Sequence, residues 1–256
     1  MLNSEELIDK VKSYNKFLNP ETLSKAYNFA VKAHADQKRS TGDPYVIHPV
    51  AVANILTDLK LDSATIATGL LHDTIEDTKT TYESVKEEFG KEVADLVDGV
   101  TKISELENRA IKNSKAENFR KLILATSKDI RVLLVKIADR LHNMRTIRGF
   151  KDIEKRKIIA KETMEIYAPL ADRMGMNRIR DELEDISFEV LNSNARNLIT
   201  ERLKFIKENK EDNFIKISEE FVNLLNGNGI NAQITGREKT PFSLWRKIQK
   251  KRISLE

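Results

Sequence analysis

The segment Leu70-Leu-His-Asp-Thr-Ile-Glu-Asp-Thr78 is the most informative in the chain, because an apolar helical run ends there in one histidine and three carboxylates. Glu76 follows His72 by four residues and Asp77 follows Asp73 by four, which places each pair one turn apart on one helix face. Imidazole nitrogen and carboxylate oxygen together suit a divalent metal ion. Burying such groups unpaired is costly, so either a cation or a hydrogen-bond network is expected. The alternative interpretation is a solvated helix end.

Helical periodicity continues outward from this segment over the first 195 residues. Asn19-Pro20 is typical of a helix start, and Asp62-Ser63 can cap the helix that is predicted to continue through the His-Asp pair. Residues 105–115 are polar and predict a mobile loop, and strand-like alternation occurs only at 230–235. Further helices are predicted at about 20–35, from 48, and at 81–103, 115–126, 130–147, 151–167 and 176–193.

Composition excludes several classes of protein. The 256 residues include no cysteine, so disulfides, thiolate metal sites and a cysteine nucleophile are excluded. No apolar run approaches the ~20 residues of a membrane span, and the N-terminus is acidic and unlike a secretory signal. We therefore expect a soluble, cytoplasmic protein.

The formal net charge of +4 is unevenly distributed along the chain. Residues 237–256 hold seven of the 44 basic and two of the 40 acidic side chains, so residues 1–236 are nearly neutral. This pattern argues against direct nucleic-acid binding and favours a local anion site near the C-terminus.

A second polar cluster lies in Val135-Lys-Ile-Ala-Asp139-Arg-Leu-His-Asn143-Met-Arg-Thr146. Asp139 interrupts an apolar run and needs a partner, which could be Arg140, Arg145 or a metal ion. Asn143 and Thr146 share its polar side. The other two candidate histidines, His142 and His34, are expected to be structural, although His142 could instead orient a metal ligand.

Three motifs together resemble the hydrolase domain of the Rel/Spo alarmone enzymes, which belongs to the His-Asp (HD) superfamily of metal phosphohydrolases. They are Arg39-Ser-Thr-Gly-Asp-Pro-Tyr-Val-Ile-His48-Pro49, Leu71-His-Asp-Thr-Ile-Glu-Asp77 and Asp139-Arg-Leu-His-Asn-Met-Arg-Thr146. The resemblance runs in order from about residue 20 to 195. It implies an all-α bundle that hydrolyses guanosine tetra- and pentaphosphate, (p)ppGpp, to GDP or GTP and pyrophosphate.

The same resemblance implies the site residues and one bound Mn²⁺. The implied metal ligands are His48, His72, Asp73 and Asp139. The implied residues that activate or orient the attacking water are Glu76 and Asp77. The implied contacts to the guanine nucleotide are Arg39, Asn143 and Thr146.

The segment Thr235-Gly-Arg-Glu-Lys-Thr-Pro-Phe-Ser-Leu-Trp-Arg-Lys247 resembles the start of the family's synthetase domain. The resemblance implies a vestigial ATP-phosphate site, formed by Arg237, Lys239, Ser243 and Lys247, on an incomplete α/β segment. The favoured interpretation of this C-terminal segment is a basic helix that frays because the sheet of the synthetase domain is missing. Alarmone synthesis by this chain alone is not expected.

The predicted organisation is a hydrolase domain at 1–195, a helical linker at 196–228 and a truncated synthetase start at 229–256. The alternative to a hydrolase is a nucleotide-binding regulatory fragment with little turnover, or a remnant of a bifunctional enzyme. The sequence leaves open a homo-oligomer or a partner chain that supplies the rest of the synthetase.

Overall fold

The computed structural model describes residues 2–109, 128–234 and 238–251, and helices account for its regular structure. In this described part, no helix combines the length and apolarity that a bilayer span requires. In chain order, the helices are α1 Ser4–Lys12, α2 Pro20–Ala33, α3 Ile47–Asp58, α4 Ser63–Leu71, α5 Thr74–Asp77, α6 Tyr82–Phe89, α7 Lys91–Arg109, α8 Ile130–Arg145, α9 Ile153–Glu162, α10 Ala168–Arg173, α11 Asn177–Leu191, α12 Ser193–Gly227 and α13 Pro241–Lys251, with a 3₁₀ turn at Ile147–Gly149 and a π-helical turn at Thr163–Tyr167.

The all-α class is confirmed, and so are the two predicted helix starts. The Asn19 side chain accepts a hydrogen bond from the backbone of Glu21, and the Asp62 side chain accepts from Ala64 and Thr65. These caps satisfy backbone N–H groups that have no partner inside the first turn.

The prediction that one helix runs through the His-Asp pair is wrong. Helix α4 ends at Leu71, and a new helix, α5, begins at Thr74. The His72 ring Nδ1 lies 2.9 Å from the carbonyl of Gly69, and the Thr74 hydroxyl donates to the carbonyl of Leu71 at 2.6 Å. Side chains thus take acceptors that the backbone of a continuous helix would use.

The predicted helix at 81–103 is two helices that meet at Gly90, whose φ of 85° suits glycine. The prediction of a loop beginning at residue 105 is also wrong for residues 105–109, because α7 continues to Arg109. The remainder of that loop and the predicted helix at 115–126 lie outside the described residues.

The core forms where α3 and α4 pack against each other and against α2 and α8. Val52, Leu56, Leu70 and Ile137 are fully buried there. A close approach of α3 and α4 depends on Gly69, because a Cβ atom at that position would lie 2.6 Å from Cδ1 of Leu56. This packing sets the first turn of α3 beside the end of α4.

The C-terminal helix α13 packs on α11 rather than fraying. The Phe188 ring contacts Phe242 edge to face, at a centroid distance of 5.5 Å, and stacks on Trp245 at 5.8 Å. No strand forms at 230–234, the described part of the predicted strand, because no other described segment pairs with it. The predicted division of the chain into domains stays a prediction.

Candidate metal centre

Three parts of the bundle bring two histidines and two aspartates together. His48 lies in the first turn of α3, His72 and Asp73 lie between α4 and α5, and Asp139 lies on α8. The Nε2 atoms of the two histidines are 3.2 Å apart, and Oδ1 of Asp139 lies 3.2 Å from His48 Nε2 and 4.0 Å from His72 Nε2. The carboxylate of Asp73 reaches within 3.1 Å of His72 Nε2 and 3.4 Å of His48 Nε2.

These separations fit a shared cation. Donors about 2.1 Å from one octahedral ion lie about 3.0 Å apart when adjacent and about 4.2 Å apart when opposite. His72 Nδ1 faces a backbone carbonyl, which can only accept, so this nitrogen carries a proton and Nε2 is the nitrogen that would bind a cation. His48, His72 and Asp139 are buried and form a group that could hold a metal ion. The donor set suits a divalent metal.

His142 contacts a candidate ligand directly, which the sequence left as the less favoured of two interpretations. Its Nδ1 lies 2.7 Å from Nδ1 of His48. Burial, together with His48 and Arg39, lowers the pKa of His142 to about 3, so the ring is neutral and its Nδ1 can accept a hydrogen bond from Nδ1–H of His48. That hydrogen bond leaves the Nε2 lone pair of His48 directed at the centre.

The partners of Asp139 are neither of the two arginines considered from the sequence. Oδ2 accepts a hydrogen bond from Lys136 Nζ at 2.9 Å, and Oδ1 accepts one from Asn143 Nδ2 at 2.6 Å. Arg140 instead pairs with Glu162, and Arg145 pairs with Glu182. Burial opposes ionisation, but Lys136 and His48 outweigh it and hold the pKa of Asp139 well below its usual range.

Glu76 and Asp77 line an open cleft of about 210 Å³ together with His48 and Asp73. Glu76 and Asp77 are exposed there. The Tyr45 hydroxyl lies 2.8 Å from Oδ2 of Asp73 and 2.7 Å from Oδ2 of Asp77, and burial with these carboxylates raises the pKa of Tyr45. Tyr45 therefore keeps its proton and bridges the two carboxylates. Burial also raises the pKa of Glu76.

The three residues expected to contact the nucleotide lie together, and two of them, Arg39 and Asn143, line the cleft. Nη2 of Arg39 donates to Oδ1 of Asn143 at 2.9 Å and to the hydroxyl of Thr146 at 3.2 Å. Because Asn143 also donates to Asp139, this group is connected to the candidate metal centre.

Sequence reasoning missed Tyr45, Ser104 and Lys136, all of which contact site residues. Tyr45 lies three residues before His48, and Lys136 three residues before Asp139. A lysine one helical turn from an aspartate in an apolar run was a usable signal, since the two side chains share a face. Ser104 approaches from α7, so no local pattern could reveal it.

The residues of the expected ATP-phosphate site lie elsewhere. Lys239 and Lys247 are exposed, and the backbone N–H of Ser243 donates to the Thr240 hydroxyl near the start of α13. None of these three lines the cleft. Arg237 lies outside the described residues.

The helical bundle and its buried histidine–aspartate centre place this protein in the class of all-helical domains with a candidate metal site. The family model described as "HD domain" matches residues 26–177. The chain belongs to the HD-domain family, and it carries the HD domain found at the N-terminus of RelA/SpoT proteins.

Two curated relatives have sequences similar to this chain. The chain is 48% identical over 256 residues to a Brucella ovis protein named GTP pyrophosphokinase rsh, covering 100% of this chain and 34% of that protein. It is 48% identical over 257 residues to an Aquifex aeolicus protein named guanosine-3′,5′-bis(diphosphate) 3′-pyrophosphohydrolase, covering 98% of this chain and 36% of that protein. The chain thus spans about a third of the length of these curated relatives.

A solved structure has a similar fold. It is that of a metazoan orthologue of SpoT that hydrolyses ppGpp and plays a role in starvation responses. The match has a TM-score of 0.51 at 26% identity, and it covers 68% of this chain and 96% of that one.

Proposed function

We propose that this chain is a Mn²⁺-dependent 3′-pyrophosphohydrolase of guanosine tetra- and pentaphosphate. The observation that carries the proposal is the convergence of His48, His72, Asp73 and Asp139 beside a carboxylate pair in one cleft. The activities for which the Aquifex relative and the metazoan orthologue are named support the substrate class. The products would be GDP or GTP and pyrophosphate.

His48, His72, Asp73 and Asp139 would hold the cation. When bound, a divalent ion supplies positive charge that neutralises phosphate and lowers the pKa of water. A mixed set of two imidazoles and two carboxylates suits a divalent transition metal, and the family resemblance of the motifs implies that this metal is Mn²⁺. His142 would keep His48 in the correct tautomer, as Gly69 does for His72.

Glu76 and Asp77 would orient the attacking water and accept its proton. Both carboxylates are exposed in the cleft, next to the ligand Asp73, and Tyr45 holds Asp77 against that ligand. Because its pKa is raised, the carboxylate of Glu76 is a better proton acceptor than that of an ordinary exposed glutamate. The water oxygen joins the 3′ phosphorus, and the ribose 3′ oxygen leaves and takes up a proton.

Arg39, Asn143 and Thr146 would bind the guanine nucleoside. Their mutual hydrogen bonds hold them in place before substrate arrives, which reduces the entropy cost of binding. The planar guanidinium of Arg39 offers a face for stacking on a purine as well as donors for phosphate.

The test is to incubate the protein with guanosine tetraphosphate and Mn²⁺ and to quantify GDP and pyrophosphate by anion-exchange chromatography. We expect equimolar GDP and pyrophosphate, loss of both on chelation, and loss of both in His72→Ala. Lys102→Met, an exposed lysine that pairs with Asp98, should behave like the wild type.

Two outcomes would contradict the proposal. Binding of the nucleotide with no turnover in Mn²⁺ would instead indicate a nucleotide-binding regulatory fragment. Product formation that survives both chelation and His72→Ala would exclude the metal centre as the site of the reaction.

A further inference from the structure

Lys136 is a buried lysine that the proposed reaction does not use. Its side chain lies on α8, one turn before Asp139, and is only 6% exposed. An ammonium group taken out of water is costly unless it is paired and hydrogen-bonded. Lys136 meets that condition, because Nζ lies 2.9 Å from Oδ2 of Asp139 and 2.9 Å from the hydroxyl of Ser104.

Because of the contact with Lys136, the two carboxylate oxygens of Asp139 have different partners. Oδ2 is held by Lys136, while Oδ1 faces Nε2 of His48 at 3.2 Å and accepts from Asn143. A carboxylate held at both oxygens cannot rotate about its terminal bond. Lys136 therefore determines which oxygen is presented to the centre.

The contact with Ser104 connects Lys136 to Glu76, one of the two carboxylates proposed to act on the water. Ser104 accepts from Lys136, so its single proton can be donated to another acceptor. Ser104 and Glu76 line the same cleft, and the Ser104 side chain favours the ionised form of Glu76, which partly offsets the effect of burial on the pKa of Glu76. These contacts connect the candidate ligand Asp139 on α8, through α7, to the residue on α5 that is proposed to receive the proton from water.

We infer that Lys136 is a positioning residue that acts on both halves of the site, orienting the ligand Asp139 directly and the carboxylate of Glu76 through Ser104. Only the part of this inference that concerns Glu76 rests on the proposed function. Orientation of Asp139 by Lys136 concerns the binding of the cation and holds whatever the substrate is. Lys136 would act through Asp139 and Ser104, the two side chains that its ammonium group contacts.

The two halves are separated by two variants of the full chain. Lys136→Met keeps most of the length of the side chain but removes the charge, and Ser104→Ala removes only the connection to Glu76. Mn²⁺ alone is titrated into each metal-stripped protein by calorimetry. The kcat and KM for guanosine tetraphosphate are then measured at saturating Mn²⁺, and thermal unfolding is recorded without metal.

For Lys136→Met we expect Mn²⁺ affinity to fall about 10- to 100-fold, which is the usual effect of removing a partner of a metal ligand. Its kcat should fall further at saturating Mn²⁺, with KM for the nucleotide within about twofold of the wild type. Ser104→Ala should keep its Mn²⁺ affinity within about twofold and lose about tenfold or more in kcat, since Glu76 is displaced. Lys136→Arg, which retains the charge, should recover part of the lost affinity.

Lys102→Met is the matched control, because it removes an exposed lysine from α7, the helix that carries Ser104. The inference is overturned if Lys136→Met lowers the melting temperature but binds Mn²⁺ and turns over substrate like this control. If Lys136→Met does not fold, a wild-type kcat in Ser104→Ala overturns the connection to Glu76. A wild-type protein that hydrolyses nothing contradicts the proposed function, while the Mn²⁺ titrations still decide the orientation of Asp139.

Discussion

Replacing Gly69 by alanine tests whether the close packing of α3 and α4 builds the metal centre. The new Cβ atom would lie 2.6 Å from Cδ1 of Leu56, whereas carbon atoms pack best at about 3.5–4.0 Å. Leu56 is fully buried and cannot swing into solvent. The two helices must therefore separate by roughly 1 Å, or Leu56 must leave its rotamer.

The cost to the fold follows from two opposing effects. Overpacking a core lowers the free energy of unfolding by about 1–3 kcal/mol, whereas replacing glycine by alanine inside a helix raises it by about 1 kcal/mol. The net loss should be about 1 kcal/mol, or roughly 2–4 °C in melting temperature for a chain of this size. Circular dichroism melts of the metal-free protein measure this loss.

The effect on metal binding should be larger than the effect on stability. His48 lies at the start of α3 and His72 follows α4 directly, so separating these helices moves the two rings apart. Metal sites tolerate about 0.2 Å in ligand distance, so we expect Mn²⁺ affinity, measured by calorimetry, to fall at least about tenfold.

Gly99→Ala is the matched control, since its Cβ would lie 2.8 Å from Cγ2 of Val132 on α8, two turns before Asp139. It should lose similar stability and keep its Mn²⁺ affinity. Leu56→Val in the Gly69→Ala background should recover part of the affinity. Equal stability losses with wild-type Mn²⁺ affinity in Gly69→Ala would show that the spacing of α3 and α4 does not determine the geometry of the metal centre.

Three further changes give distinct results. Asp73→Asn should abolish Mn²⁺ binding in calorimetry yet leave the circular dichroism spectrum unchanged, because it removes a ligand charge and no core volume; a misfolded variant or retained affinity would contradict this. Gly149→Ala places a Cβ 2.3 Å from Cγ2 of Thr41, so it should displace the loop that carries Arg39 and raise KM about tenfold with little change in Mn²⁺ affinity; an unchanged KM would exclude this loop from nucleotide binding. Burial opposes ionisation of Asp62, but hydrogen bonds from Thr65 and the nearby Arg131 outweigh it and lower the pKa, so its stabilisation is complete above pH ~4 and is lost as the pH falls below that. Asp62→Asn should therefore flatten the acid limb of a stability–pH curve while retaining the cap, and an unchanged acid limb would contradict this assignment.

The helical class and several helix starts could be predicted because their causes are local. Asn19 and Asp62 cap the helices that follow them in chain order, and both caps are read from neighbouring residues. The assembly of His48, His72 and Asp139 was different: spacing alone left a metal ion and a solvated helix end open. The family motifs predicted that set, and the described structure brings the three residues together.

What the sequence did not predict depends on contacts between distant segments. The helix break at His72 arises where ring and hydroxyl groups take backbone acceptors, which an apolar periodicity cannot reveal. Ser104 reaches Lys136 across 32 residues, from a helix whose end was predicted as loop. The strand predicted near residue 230 needed a partner strand, which the described residues do not supply.

The most direct test of the account is a calorimetric titration of Mn²⁺ into the metal-stripped wild type and into four single variants, His48→Ala, His72→Ala, Asp73→Asn and Asp139→Asn. We predict one ion per wild-type chain and an affinity at least about a hundredfold lower in each variant, with helical content retained. Wild-type affinity in any two of these variants, or no Mn²⁺ binding by the wild type, would contradict a single shared metal centre.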